Sequence, residues 1–288
     1  INRIPYVFEI RDLWPESAID TGVLKNKLII KFAFWFEGFI YKRAKLINVL
    51  TPAFRDKLIR VKNVPKEKVI LIPNAADFSL AEKIQKDSSF NALKFKKELG
   101  LENKFVITYV GAHGVANHLI QLIDAAEKLQ NTNIVFQLIG SGMRKEFLQK
   151  EVIKRSLSNV IFREPVPKSE VFKYILASDV GTSVLKNVET FKTIYSNKTF
   201  DYMSCKKPIL LIIDGVSREL VETAKCGVFA EPENPLYIAN KSKEMSTLKK
   251  SDLNQMGLNG YNYARENFDR VKLSKKYIQE INAVVNDK

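Results

Sequence analysis

The sequence predicts an α/β protein of two units, each with a doubly wound parallel sheet, that face one another across a cleft. From Phe105 onward, short apolar runs rich in β-branched residues alternate with amphipathic segments. Near-continuous apolar strands separated by helices of about 10–15 residues are typical of right-handed βαβ units around a parallel sheet. The first hundred residues repeat the same alternation with fewer strands.

The second unit is predicted to contain six strands and five helices between them. The strands are FVITYV, IVFQLIG, VIFREPV, DVGTSVL, PILLIID and GVFAEP. The helices are LIQLIDAAEKL, RKEFLQKEVIKRSL, KSEVFKYILAS, NKTFDYMSCK and VSRELVETAKC.

The first unit is predicted to have three strands: IPYVFEI, LINVLT and VILIPNAAD, with helices at 24–45 and in PAFRDKLIRVKN. Open sheets usually have about five strands, so we expect a domain whose first part is absent. The predicted domains are 1–90 (the second half of an N-terminal Rossmann-like domain), 91–262 (a C-terminal Rossmann-like domain) and 263–288 (a closing helix). The polar segment 79–104 is the expected hinge.

Composition narrows the class of partner. The chain has 288 residues and a net charge of +14, from 46 Lys+Arg against 32 Asp+Glu. Such an excess favours a polyanion, which is a nucleic acid, an anionic membrane surface or a phosphorylated substrate. Cys205 and Cys226 are too few for a disulfide framework, and we interpret them as reduced thiols of a cytoplasmic protein. No apolar run approaches the roughly 20 residues that cross a bilayer.

Ligands of open α/β sheets bind beyond the carboxyl ends of the strands, so residues directly after strands are the candidates. Asp12 and Glu16 follow IPYVFEI. Either carboxylate is suited to accept a hydrogen bond, or the proton, from a substrate hydroxyl. The alternative is an ordinary charged turn.

The segment Gly111, Ala112, His113, Gly114 follows FVITYV and precedes a helix. Small residues there let backbone N–H groups approach an anion at the helix N-terminus, although a simple βα connection remains possible. No Cys or carboxylate stands at ligand spacing from His113 or His118, so we expect no metal site.

Two further loops that directly follow strands are also candidate binding segments. Gly140 and Gly142 follow IVFQLIG, with Arg144 and Lys145 one turn on as phosphate-binding or solvated cations. Pro165 and Val166 lie in an extended segment whose main chain is suited to read the edge of a nucleobase.

The strongest candidate is YSNKTFDYMSCKKPILL, residues 195–211. Asn197 and Lys198 begin a helix, and Asp201 follows one turn later. A cation with free amides at a helix N-terminus suits a phosphate, and a carboxylate suits a ribose diol. The alternative is a plain i, i+3 ion pair, which stabilises a helix by only tenths of a kcal/mol.

Taken together, these motifs resemble the retaining glycosyltransferases of the GT-B fold, family 4. The resemblance is strongest to the branch that builds O-antigen and capsule repeat units, which includes fucosaminyltransferase-like enzymes. Its motifs are RDLWPES, VILIPNAAD, YVGAHGVANHL, IGSG and SNKTFDYMSCKKPIL. They cover nearly the whole chain in the family's order.

The resemblance implies two Rossmann-like doubly wound domains and transfer of a sugar from a nucleotide diphosphate, usually UDP, without a metal or other cofactor. Gly111 to Gly114, with Asn117, would face the diphosphate, and Pro165–Val166 the base. Lys198 would neutralise the leaving phosphate, Asp201 would bind the ribose, and Asp12 would line the acceptor side.

The chain departs from the family pattern in three places. The first of two family glutamates falls on Thr193, and the second is the shorter Asp201. The usual Arg and Lys near the first glycine loop are replaced by His113, Asn117 and His118, so phosphate binding would rest on Lys198, Arg144 or Lys145. Ala75 stands where the family often has Gly.

The helix predicted at 24–45 is apolar almost all round, with Lys27, Lys31 and Lys45 in a narrow stripe. Such a helix suits peripheral contact with anionic lipid, and thus delivery of a polyprenyl-diphosphate-linked acceptor at the inner face of the plasma membrane. The alternative is burial against the absent segment.

Two other functions stay open. A nucleotide-sugar epimerase or hydrolase shares the architecture, but would be expected to place several acid–base residues in the cleft. A basic non-enzymatic nucleic-acid binder would use the charge. The chain contains no recognised nucleic-acid-binding motif, so a nucleic acid is not the expected partner.

Overall fold

The computed structural model describes residues 4–286 and contains two parallel sheets. The first sheet has strands β1 (Val7–Ile10), β2 (Leu46–Val49) and β3 (Val69–Leu71), in that order. Its helices are α1 (Glu16–Asp20), α2 (Lys27–Arg43) and α3 (Pro52–Arg60). The ends of the first and last predicted domains, residues 1–3 and 287–288, lie outside the described part.

The second sheet has six strands in the order β6-β5-β4-β7-β8-β9, all paired in parallel. They are β4 (Phe105–Val110), β5 (Ile134–Ile139), β6 (Val160–Arg163), β7 (Val180–Val184), β8 (Ile209–Ile212) and β9 (Gly227–Phe229). The predicted strands are therefore confirmed, and the order is that of a doubly wound sheet.

Ten helices surround this sheet or connect it to the first, in the part of the chain that the structure describes. They are α4 (Phe78–Lys86), α5 (Ala92–Glu98), α6 (Ile120–Glu127), α7 (Lys145–Lys154), α8 (Lys168–Ala177), α9 (Asn197–Ser204), α10 (Val216–Thr223), α11 (Pro235–Thr247), α12 (Lys250–Asn267) and α13 (Arg270–Asn286).

Alternation within β8 shows why its sequence is continuously apolar. Leu210 and Ile212 belong to the hydrophobic cluster on one face of the sheet. Ile209 and Leu211 belong to the cluster on the other face. Successive side chains of a strand point to opposite faces, and helices cover both. A strand buried on both sides has no position for a polar face, which produces the apolar runs.

The segment 79–104, expected as a hinge, forms most of α4 and all of α5. Both helices pack against α8 of the second unit. The polar residues of this segment are the exposed faces of two amphipathic helices. The domain boundaries remain a prediction.

The chain crosses between the units twice, and the two crossings are hydrogen-bonded together. The N–H of Ala76, after β3, donates to the carbonyl of Phe268, just before α13, at 2.8 Å. Helix α13 then returns to the first unit, where Lys276 Nζ donates to the Leu71 carbonyl at 3.5 Å.

A second set of contacts joins the units across the cleft. Thr51 Oγ1 donates to the Thr193 carbonyl at 2.7 Å. The N–H of Thr190 donates to Asp20 Oδ2 at 3.2 Å. The predicted α/β class, with two parallel-sheet Rossmann-like units facing across a cleft, is confirmed.

Candidate active site

The order of the second sheet reverses between β4 and β7, and the candidate site lies at the carboxyl ends of these strands. Connections leave neighbouring strands in opposite directions at such a point and open a crevice for a ligand. The loops after the two strands are joined, because the Lys186 N–H donates to the Ala116 carbonyl at 2.8 Å.

Lys198, in the first turn of α9, reaches the loop after β4. Its Nζ lies 5.0 Å from the centroid of the Tyr109 ring. A Cβ placed on Gly111 would lie 3.2 Å from Lys198 Cε, so a side chain at 111 would press on the lysine. Burial lowers the pKa of Lys198 to about 8, and the nearby Asp201 carboxylate only partly opposes this. A lysine whose pKa is shifted toward neutrality is typical of functional sites.

Asp201 lies one turn after Lys198, at the edge of a cavity of 290 Å³ between the two units. Its Oδ1 lies 3.1 Å from Lys168 Nζ, so the lysine at the start of α8 is its ion-pair partner. Burial raises the pKa of Asp201, and Lys168 works against that rise. Asn197, exposed at the beginning of α9, lines the same cavity.

The glycines after β4 and β5 allow the two loops to touch. Gly111, Gly140 and Gly142 have φ of 142°, 144° and 154°. A Cβ on Gly140 would lie 2.0 Å from the Gly111 carbonyl oxygen, and one on Gly142 would lie 2.6 Å from the His113 carbonyl oxygen. No side chain fits at either position, so these glycines are needed for backbone packing.

His113 does not face the cleft, which differs from the expectation that it contacts phosphate or sugar. The residue is fully buried, with its ring 6.1 Å from that of Tyr109 and 5.9 Å from that of Phe162. Neither ring nitrogen has a hydrogen-bond partner. Burial, followed by repulsion from Lys145, lowers its pKa to about 4. The side chain points inward because the loop bonds to Ser141 through its backbone, at 2.8 Å.

Gly114 and Arg144 line a smaller cavity of 230 Å³ near the starts of α6 and α7, together with His118 and Lys186. Arg144 lies over the Phe147 ring at 4.1 Å. His118 adopts φ 47° in the turn before α6 and lies 4.0 Å from Glu233. Asn117 is partly buried in this turn, with its Oδ1 directed at Gly114.

Lys145 is held at the end of β6. Its Nζ donates to Glu164 Oε1 at 2.8 Å. This places the lysine beside the extended segment of Pro165 and Val166, where Pro165 is exposed and Val166 packs against the hydrophobic cluster. Glu164 therefore neutralises Lys145, whereas Lys198 forms no ion pair within 4.0 Å in residues 4–286 and interacts with the Asp201 carboxylate only at longer range.

The two carboxylates predicted as site residues in the first unit, Asp12 and Glu16, lie in different surroundings. Asp12 is exposed and accepts a hydrogen bond from Ser17 Oγ at 2.8 Å. Glu16 turns away from the cleft into a groove beside α2 and α3, where Lys62 Nζ lies at 2.7 Å and Lys57 Nζ at 3.3 Å. Burial alone would raise the pKa of Glu16, but the hydrogen bond and charge of Lys62 outweigh it and lower the pKa. A catalytic role for Glu16 does not fit this placement.

Sequence reasoning did not assign several residues that line the interdomain cavity, among them Arg11, Asn48 and Arg270. Arg270 pairs with Asp77 at 2.7 Å but belongs to the closing segment, where no strand precedes it. Arg11 does follow β1 and was within reach of the strand-end rule. Asn48 is inside a strand, so nothing in its position marked it.

Within residues 4–286, no three His, Cys, Asp or Glu side chains are grouped so that they could hold a metal ion. No helix of this part of the chain has both the length and the apolar character needed to cross a membrane.

Comparison with protein families decides the class of this fold. Residues 91–263 match the model described as glycosyl transferases group 1, and residues 2–75 match that of a glycosyl transferase 4-like domain. The chain belongs to the glycosyl transferases group 1 family. This glycosyltransferase is 26% identical over 159 residues to a putative colanic acid biosynthesis glycosyl transferase, WcaI, of Escherichia coli. The match covers 54% of the chain and 38% of WcaI.

Solved structures share the fold of this glycosyltransferase. Anabaena HepE, in complex with UDP and glucose, superposes with a TM-score of 0.80 at 18% identity, over 97% of the chain and 72% of HepE. WaaG, described as a glycosyltransferase involved in lipopolysaccharide biosynthesis, gives a TM-score of 0.71 at 15% identity, over 92% of the chain and 72% of WaaG.

Proposed function

We propose that this glycosyltransferase moves a sugar, with retention, from a UDP-sugar to a lipid-diphosphate-linked saccharide in bacterial surface polysaccharide (O-antigen or capsule) biosynthesis. HepE supports the donor class, since its structures hold UDP and UDP-glucose. The descriptions of WcaI and WaaG support the type of pathway. The motifs favour the fucosaminyltransferase-like branch of family 4.

The observation that carries the proposal is the position of Lys198. It is half-buried at the reversal point of the sheet, against the loop that begins with Gly111. Removal of a sugar from a nucleotide leaves negative charge on the diphosphate. A preorganised cation and backbone amides stabilise such charge most effectively where water is excluded. Lys198 supplies the cation without a metal ion.

The remaining residues bind and orient the substrates. Asp201 accepts from the ribose hydroxyls, in exchange for part of its contact with Lys168. The main chain at Pro165 and Val166 contacts the base. Gly111, Gly114 and Asn117 face the diphosphate, and Gly142 lets the second loop pack against the first beside it. Arg144 and Lys145 add positive potential from the second glycine loop. Asp12, an exposed residue of the first unit, contacts the acceptor.

The enzyme works at the cytoplasmic face of the plasma membrane, where a polyprenyl-diphosphate acceptor resides. The net charge of +14 supports this location, because anionic lipids attract basic proteins. The exposed aromatic side chains of α2 also support it, among them Phe32 and Trp35, which are 60% and 62% exposed.

The test is transfer of radiolabelled sugar from a panel of UDP-sugars to a polyprenyl-diphosphate-linked saccharide. A longer lipid-linked product is expected with one donor, and none with the Lys198→Ala variant. Release of free sugar without transfer would favour the hydrolase alternative, and interconversion of donors the epimerase. A thermal-shift screen over nucleotide sugars identifies the donor to use.

A further inference from the structure

The cavity of 230 Å³ at the starts of α6 and α7 is called the α6–α7 pocket below. It lies at the carboxyl edge of the second sheet, and its lining includes Gly114 and also Lys186, which comes just after β7. Gly114 belongs to the loop assigned to the diphosphate in the proposed function. The pocket therefore adjoins the proposed donor site, but it shares no lining residue with the interdomain cavity around Asp201.

The pocket lies on the opposite side of the sheet from the proposed contacts of the nucleoside. Leu122 of α6 and Leu148 of α7 belong to the hydrophobic cluster on one face. Phe172 of α8 and Phe200 of α9 belong to the cluster on the other face. The proposed contacts of the base and the ribose are at the starts of α8 and α9. A donor bound there, with its diphosphate at Gly111, has its sugar on the side of the α6–α7 pocket.

Two cations of the pocket have no carboxylate partner. Lys186 is half-buried, and its ammonium group forms no ion pair or hydrogen bond within residues 4–286. The Arg144 guanidinium lies 4.1 Å from the centroid of the Phe147 ring, and it forms no ion pair in the same part of the chain. Since α6 and α7 both begin at the pocket, the partial positive charges of their N-termini add to these two cations.

Glu233 approaches the pocket but does not neutralise its cations. One carboxylate oxygen of Glu233 accepts a hydrogen bond from the Asn187 N–H at 3.0 Å and lies 4.0 Å from His118 Nε2. Among the described lining residues of the pocket are Arg144 and Lys186, and none of those residues is acidic. The pocket therefore keeps an excess of positive charge.

The rest of the wall suits a sugar ring. Val115, Leu119 and Leu148 supply apolar surface, and a pyranose presents C–H groups along its faces. A neutral sugar would leave Arg144 and Lys186 without an anion. A carboxylate at the edge of the ring would accept charge-assisted hydrogen bonds from both, and these are stronger than bonds between neutral groups. The guanidinium of arginine also matches the geometry of a carboxylate.

We propose that the α6–α7 pocket binds the sugar of the donor, and that Arg144 and Lys186 select a sugar that carries a carboxylate. The donor is then a UDP-hexuronate. The carboxylate of such a sugar is not on the anomeric carbon, so its recognition leaves the reacting bond free. This inference rests on the proposed function and narrows its donor from UDP-sugars in general to one chemical class, which the family motifs leave open.

The test is calorimetric titration of the full chain with UDP, UDP-glucose and UDP-glucuronate. UDP-glucuronate should bind about tenfold more tightly than UDP-glucose, since two cations contact one carboxylate and each contact of this partly exposed kind contributes up to about fivefold. Equal affinities for the two donors, or tighter binding of UDP-glucose, would overturn the inference.

Lys186→Gln and Arg144→Gln each remove one cation, and the readout is the ratio of the two donor affinities within each variant. Each variant should reduce the preference for UDP-glucuronate to about threefold, and the double variant should abolish it. Lys186→Arg keeps the charge and should keep the preference. A merely structural role would weaken both donors alike, so an unchanged ratio in the double variant would contradict the assignment.

The matched control is Lys154→Gln, the same substitution at the last residue of α7. Lys154 lies about 15 Å along the helix from Arg144, and charges are screened beyond about 10 Å. The ratio of the donor affinities should therefore equal that of the parent protein. An equal fall in the ratio for Lys154→Gln and Lys186→Gln would show a general effect of net charge and remove the pocket assignment.

The affinity for UDP separates this inference from the proposed function. Binding of UDP without a preference between the two donors would remove the hexuronate and leave the UDP-sugar class of the proposed function standing. If neither UDP nor either donor binds, the proposed function itself fails, and this inference fails with it. Tight binding of UDP-glucuronate makes it the donor with which the transfer reaction should give a longer lipid-linked product.

Discussion

The ammonium group of Lys198 lies 5.0 Å from the centre of the Tyr109 ring, at the end of the strand next to the reversal point of the sheet. The ring face attracts the cation, yet burial still lowers the pKa of the lysine. A phosphate bound beside Lys198 is therefore expected to stabilise the protonated form of the lysine, because the anion offsets the cost of burying its charge.

Lys198→Ala is expected to weaken UDP binding at least about tenfold, because a charged hydrogen bond contributes about 1.5–3 kcal/mol. Calorimetric titration measures this directly. Lys241→Ala is the control, since Lys241 also lies over a tyrosine ring, at 5.7 Å from that of Tyr237, but on α11. Unchanged affinity in Lys198→Ala would remove the site assignment.

UDP affinity should fall as pH rises through about 8, where Lys198 loses its proton in the free enzyme. Below that pH the amine is charged and binding is insensitive to its titration. Arginine stays protonated throughout this range, so Lys198→Arg should abolish this fall while keeping part of the affinity. The same fall in both proteins would assign the titration to another group.

Asp201 is expected to discriminate ribose from deoxyribose. In the parent protein, UDP should bind several-fold more tightly than 2′-deoxy-UDP, since the carboxylate loses a hydrogen bond when the hydroxyl is absent. In Asp201→Ala the two ligands should bind alike. Lys168→Ala frees the carboxylate from its 3.1 Å ion pair and should preserve the discrimination. Persistence of the difference in Asp201→Ala contradicts the assignment.

His113 should make the fold sensitive to acid. Its pKa is lowered from 6.5 to about 4, so the unfolded chain binds the proton more tightly than the native state does. Stability should therefore fall as pH drops through this window, by up to about 3 kcal/mol. His113→Leu has no proton to bind and removes two unpaired nitrogens. Urea unfolding should show it less sensitive to pH between 6.5 and 4, with UDP affinity unchanged at neutral pH. Equal pH dependence in both proteins would contradict this.

The buried pair of Lys62 and Glu37 is expected to be important for stability. Glu37 is only 6% exposed, and Lys62→Met would leave it unpaired. Breaking such a pair from one side costs about 3–5 kcal/mol. The control is Lys150→Met, which removes an exposed pair with Glu146 and should change the unfolding free energy by less than about 1 kcal/mol. Similar losses in the two variants would mean that the network contributes no more than a surface pair.

The sequence was sufficient for most of the fold, whereas the assignment of the candidate site stays a prediction. Strands buried on both faces are encoded by continuous apolar runs. Glycines after these strands, such as Gly140 and Gly142, mark places where two backbones must touch. Lys198 and Asp201 were predicted as site residues because one turn of α9 separates them. Residues that reach the cavity only through contacts between distant parts of the chain, such as Arg270, could not be predicted.

The direction of side chains was the other limit. His113 and Glu16 both follow strands, but position after a strand does not fix which way a side chain turns. His113 turns inward because its backbone is bonded to the neighbouring loop, and Glu16 turns toward Lys57 of α3 and Lys62 just after it. These side-chain orientations depend on contacts between helices, strands and loops, which a local sequence pattern does not reveal.

The hydrogen bond between Ala76 and Phe268 has a mechanical consequence. In the described chain, both covalent connections between the two sheets pass through this place, side by side. A change in the angle between the sheets therefore requires the backbone to rotate at this place. A movement that separates the units must also break the contacts of Asp20 with Thr190 and of Thr51 with Thr193, which join the units directly.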